Sequence, residues 1–146
     1  MTSKMYEAFQ CDPEMERKGI VLIYPGFRIT IARAGGANKK YQKALEKEIR
    51  PYLRALKTDT LDPEIAEQVI KSVYAKAIIL DWEVQDEAGN WVQGIEQPDG
   101  SLLPVTQENM VNTFDALPDL FDDIRSQAAS SALFKASLKE EAAKNS

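Results

Sequence analysis

The sequence predicts an α+β fold dominated by helix: a short N-terminal β-hairpin or small sheet followed by about four helices. Three observations predict it. Ile20-Val21-Leu22-Ile23-Tyr24 is rich in β-branched and aromatic residues and is broken by Pro25-Gly26. Phe27 to Arg33 then alternates apolar and polar side chains, the period of a half-buried strand. From Asn38 onward the apolar residues instead recur every three or four positions, behind recognisable helix starts.

Taken in order, Lys4 to Cys11 reads as a first strand, with Tyr6, Ala8 and Gln10 on one side, and Asp12-Pro13-Glu14 as a turn or short helical start. Ala34-Gly35-Gly36-Ala37 is a flexible strand-to-helix joint, and Asn38 is placed to cap the first long helix. In that helix Tyr41, Ala44, Leu45, Ile49, Tyr52, Leu53 and Leu56 share a face. Pro51 kinks or splits it, because proline removes a backbone donor and clashes with the previous turn. Leu61-Asp62-Pro63-Glu64 opens a second helix with stripe Ile65, Val69, Val73, Ala77 and Leu80, ending near Asp81-Trp82 with Trp82 closing the core. Glu83 to Val105 reads as a loop or small hairpin, with turns at Asp86 to Asn90 and at Pro98-Asp99-Gly100. Thr106 caps a third helix through Met110, Val111 and Phe114. Pro118 opens the last, whose stripe is Leu117, Leu120, Phe121, Ile124, Ala128 and Phe134. Residues 1–138 are expected to form one domain and 139–146 a polar, disordered tail.

At 146 residues, 44% hydrophobic and 28% charged, the chain can bury a core without disulfides or metal. Cys11 is alone, so no internal disulfide can form. There is no histidine, which removes the commonest general base and metal ligand. The Gly35-Gly36 joint lacks the spacing of a phosphate loop, and Asp86 to Asn90 lacks the alternating ligands of a calcium loop. The adjacent pairs Asp122-Asp123 and Glu140-Glu141 diverge around a helix axis and read as solvated faces. No catalytic residue, cofactor or metal is therefore expected, and the protein is expected not to be an enzyme. No apolar run approaches the roughly 18 residues of a membrane span. Met1 to Met5 leads into polar residues and not an apolar signal core, so a cytoplasmic location is expected.

The run from Phe27 through Arg33-Ala34-Gly35-Gly36-Ala37-Asn38-Lys39-Lys40-Tyr41 resembles the start of tail assembly chaperones of long-tailed, siphovirus-like bacteriophages. There a strand ending in Arg, a glycine and an Asn leads into a Tyr-bearing helix. Further matches come in order: Arg50-Pro51-Tyr52-Leu53-Arg54, Leu61-Asp62-Pro63-Glu64, Leu80-Asp81-Trp82-Glu83, Asp86-Glu87-Ala88-Gly89, Thr106-Gln107-Glu108-Asn109 and Leu117-Pro118-Asp119-Leu120-Phe121. The resemblance spans Asp12 to Phe134 and rests on the order of these pieces. It implies a non-catalytic holding chaperone that binds the tape measure protein, keeps it soluble and helps recruit tail tube subunits. Such a protein works in the host cytoplasm and is absent from the mature virion. Many are also made in a longer, frameshifted form.

The expected binding surface is the kinked helix, with Tyr41, Tyr52 and Leu53 for apolar contact and Lys39, Lys43, Arg50 and Arg54 to steer acidic segments. The opposing reading is that the aromatics are core and the lysines merely solvated. Self-association is left open. Two rival functions stand beside this one. One is a small phage regulator binding nucleic acid through the basic helix 38–57, against which the net charge of −5 argues. The other is a structural connector or tail protein of the virion.

Overall fold

The computed structural model describes residues 3–135; the polar run 139–146, its boundary at residue 138 and the Glu140-Glu141 pair lie outside the described residues. Helix α1 (Lys4–Phe9) and helix α2 (Pro13–Lys18) lead into a hairpin of β1 (Ile20–Tyr24) and β2 (Phe27–Ile31). Tyr24 pairs with Phe27 across the two-residue Pro25-Gly26 turn, where Gly26 takes the positive φ of 80° that this turn requires. Helix α3 (Lys39–Ile49) runs into a 3₁₀ turn at Arg50–Tyr52 and then α4 (Leu53–Lys57), so Pro51 splits the helix as its chemistry dictates. Helix α5 (Pro63–Ala77) comes next, its start fixed by the Asp62 carboxylate, which accepts from the Glu64 amide.

The expected plan of an N-terminal hairpin followed by about four helices is overturned at this point. The chain leaves α5 at Ala77 and returns to the sheet as β3 (Ile79–Gln85), antiparallel to β2, then adds β4 (Trp91–Gln93). The sheet order is β1-β2-β3-β4, so half of it comes from residues beyond the helices. A second hairpin, β5 (Ile95–Glu96) with β6 (Leu102–Leu103), occupies the stretch expected to be a loop or small hairpin. Helices α6 (Gln107–Ala116) and α7 (Pro118–Ala129) close the fold, with Thr106 capping the first through the Asn109 amide.

The N-terminal strand is also corrected. Lys4–Phe9 is helical and fully solvent-facing, and only Cys11 makes a β contact, an isolated bridge to Lys135. Met5, Tyr6 and Phe9 fit helical spacing as well as Tyr6 and Ala8 fit a strand, and a run this short does not decide between the two.

The core lies on one face of the sheet. Ile29 and Ile31 of β2 stand beside Trp82 and Ile79 of β3, under Tyr74 and Ala75 of α5, Met110 and Phe114 of α6, and Phe121, Ile124 and Ala128 of α7. Four ring contacts cross it: Tyr41 to Tyr74 (centroids 6.1 Å apart), Tyr74 to Phe121 (5.5 Å), Phe121 to Phe114 (4.8 Å) and Phe114 to Trp82 (6.2 Å). The edge-on and tilted geometries suit the quadrupoles of the rings. The opposite sheet face is polar at its centre, where Arg28 pairs with Glu83 at 2.8 Å and lies 4.3 Å over Trp91.

Candidate functional site

The basic helix forms one arm. Lys39, Lys40, Lys43, Lys47, Arg50, Arg54 and Lys57 are exposed along α3, the 3₁₀ turn and α4. With only Glu46 and Glu48 against these seven cations, residues 39–57 carry +5 in a chain of net −5, which leaves −10 on the rest. Among the described residues none of the seven forms an ion pair. Glu48 turns instead to Lys76 of α5 and so binds α3 to the body.

The apolar members divide into two groups. Tyr41 is half-buried, lies edge-on against Tyr74 and packs on the core, so it supports the fold. Tyr52 is half-buried beyond the end of α3. Leu53 (43% exposed) and Leu56 (52%) face solvent. The physical reason is that α3 lies along α5 whereas α4, turned away at Pro51, packs chiefly on the 3₁₀ turn before it. Asp59 then ends the arm in the left-handed region (φ 55°), a conformation a short polar side chain tolerates. Of the seven residues singled out in the sequence, Lys39, Lys43, Arg50, Leu53 and Arg54 therefore sit on one exposed arm, with Tyr52 at its bend and Tyr41 inside its base.

Side chains of α2 and Asn38 hold the Gly35-Gly36 joint. Glu16 of α2 is 4% exposed, pairs with Arg33 and accepts from the Ala37 amide at 3.3 Å. A Cβ on Gly36, whose φ is 55°, would collide with that carboxylate. Asn38 stands at the cap position of α3 without capping it: its buried amide donates to the carbonyls of Arg33 (2.9 Å) and Ala77 (3.2 Å), tying the joint to the end of α5. Arg33 Nη1 also lies 3.3 Å from Cys11 Sγ. This network fixes the angle at which the basic arm leaves the sheet.

A second feature escaped sequence reasoning. A cleft of about 290 Å³ opens between the β1–β2 turn, β3, β5 and the junction of α6 with α7; Phe27, Trp82, Val84, Ile95, Leu117 and Leu120 supply its apolar lining. Leu117 is 53% exposed at the mouth. It was expected in the buried stripe of α7, but as the residue between two helices it has a non-helical backbone (φ −127°, ψ 73°) and leaves the helical period. The one available signal was its place before Pro118, which biases a residue away from helix. Beside the cleft Tyr24 stacks on Phe27 (4.7 Å) and donates to Asp123 Oδ2 at 2.6 Å, and burial followed by that carboxylate raises the Tyr24 pKa.

Among the described residues no group of His, Cys, Asp or Glu side chains converges as a metal site, and no helix is long and apolar enough to cross a membrane. A family model described as YdaY prophage protein matches residues 36–145. The chain belongs to the YdaY prophage protein family. It is thus phage-derived, and the match to this YdaY family takes in the basic arm, α5, β3 and both helices of the cleft. No curated protein and no solved structure matches the chain.

Proposed function

We propose that this YdaY-family protein is a tail assembly chaperone, which binds the tape measure protein, keeps it soluble in the host cytoplasm and helps recruit tail tube subunits. The supporting observation is α4: an exposed apolar pair, Leu53 and Leu56, set among cations with no ion-pair partner among the described residues. A tape measure protein is long and helical, and its apolar stripes aggregate when free. An amphipathic arm that presents leucines between basic residues shields such a stripe and selects acidic segments of it. The apolar cleft beside Leu117 offers a second place for a buried anchor residue.

Co-expression with the tape measure protein of the same prophage tests the reading. The tape measure protein is expected in the soluble fraction and to co-purify, and Leu53→Ser with Leu56→Ser to return it to the pellet. Mass spectrometry of finished particles should find no copy of the chaperone. An insoluble tape measure protein, or a stoichiometric presence in particles, overturns the proposal. A gel shift with DNA that weakens steeply with salt would favour the regulator instead.

A further inference from the structure

The free edge of the sheet carries an inference of its own. Strand β1 is an outer strand, Ile-Val-Leu-Ile-Tyr, without a charge, a proline or a bulge. The two-residue turn sets Tyr24, Leu22 and Ile20 as the positions hydrogen-bonded to β2, so the N–H and C=O of Val21 and Ile23 point outward. Among the described residues neither has a hydrogen-bond partner outside the hairpin. They are 49% and 69% exposed on the open sheet face; Leu80 (42%), which the irregularity between Thr30 and Ile31 leaves unpaired, lies against Gly19 just before the strand. Edge strands are ordinarily protected by lysine, proline, bulges or a covering element. This one has none of them within the strand.

We infer that β1 pairs antiparallel with β1 of a second copy of this chain, joining two four-stranded sheets into one about a two-fold axis at Leu22. In that register Val21 faces Ile23 of the other copy and Ile23 faces its Val21, so all four outward backbone groups on each side are satisfied at once. The charges agree with this direction. Exposed Arg17 and Lys18 stand just before Ile20 at one end of β1. At the other end Tyr24 is bonded to Asp123, next to exposed Asp122. Antiparallel pairing brings the basic end of each strand to the acidic end of its mate, which a parallel arrangement would not do.

Sedimentation of the full chain over a concentration series tests this. The mass is expected to be twice that of one chain and to fall two-fold in Val21→Pro, which removes an amide that the chain's own sheet does not use. Ile23→Lys, which places a charge on the seam, should give the same two-fold fall with an unchanged circular dichroism spectrum. In the wild type, the Val21 and Ile23 amides should exchange more slowly as concentration rises, a readout independent of whether either variant folds. Lys18→Glu should weaken the dimer, and adding Asp122→Lys should restore it. A single-chain mass throughout, a dimer that survives both strand substitutions, or amides whose exchange ignores concentration overturns the inference.

Discussion

Glu16 shows how one side chain organises a joint. Its carboxylate is buried, and it is held there by Arg33 and the Ala37 amide. Burying a carboxylate is costly unless a cation and hydrogen bonds compensate it, and removing one partner leaves the other buried and uncompensated. Glu16→Ala is therefore expected to destabilise the fold by about 3 to 5 kcal/mol, read as a lower urea midpoint. Gly36→Ala has two costs, the left-handed backbone and the collision with Glu16, and should lose about 1 to 3 kcal/mol. The second cost vanishes with the carboxylate, so Gly36→Ala should be milder in a Glu16→Ala background than alone. Strictly additive losses would show that Gly36 and Glu16 do not meet as described.

Tyr74 plays the matching part for an element, since through it α5 touches both Tyr41 of the arm and Phe121 of α7. Burial, with a smaller contribution from Tyr41 and against the pull of Arg125, pushes its phenol up to about 12 from 10.0. The folded state thus favours the neutral phenol. Stability from this group is complete below pH 10 and is lost as pH rises from 10 through about 12. Tyr24, raised by burial and Asp123, adds to the same alkaline loss. Unfolding free energies at pH 9 and pH 11 should therefore differ by about 1 kcal/mol, after allowance for solvent screening of the two phenols, and Tyr74→Phe should narrow the gap; an unchanged gap would mean Tyr74 does not titrate as described. The capped and proline-marked helices were legible because Asp62, Thr106, Pro51 and Pro118 act within a few residues of themselves. Strand β3 was not, because the α5 stripe Val69, Val73, Ala77 runs on in step to Leu80 and masks the alternation of Trp82 and Val84 with Glu83 and Gln85. Its pairing with β2 joins residues some fifty positions apart, Ile29 with Trp82, which no local pattern reports. The exposed basic residues of the arm were readable from charge and spacing, whereas the cleft gathers side chains from separate segments and exists only once they are folded together.

Across the whole molecule charge is divided, with +5 on residues 39–57 and −10 elsewhere. In the capture of an acidic partner proposed above, the cations and the leucines of the arm would act at two separate steps. Exposed cations act at a distance, over a Debye length of about 8 Å at physiological salt, and so govern encounter. The leucines act only in contact and so govern how long the complex lasts. Arg50→Glu with Arg54→Glu should accordingly slow association with an acidic tape measure segment several-fold while changing dissociation little, and added salt should mimic the substitution in the wild type. Leu53→Ser with Leu56→Ser should do the reverse, hastening dissociation at a nearly constant association rate. Interferometry on an immobilised segment at low and high salt separates the two. If the charge reversal acted mainly on dissociation, the arginines would be buried in the complex, and the arm would bind through its charged side and not its leucines. The −10 of the rest of the chain supplies a further check: it repels the same acidic segment, and a basic segment of equal length should bind less well on the arm.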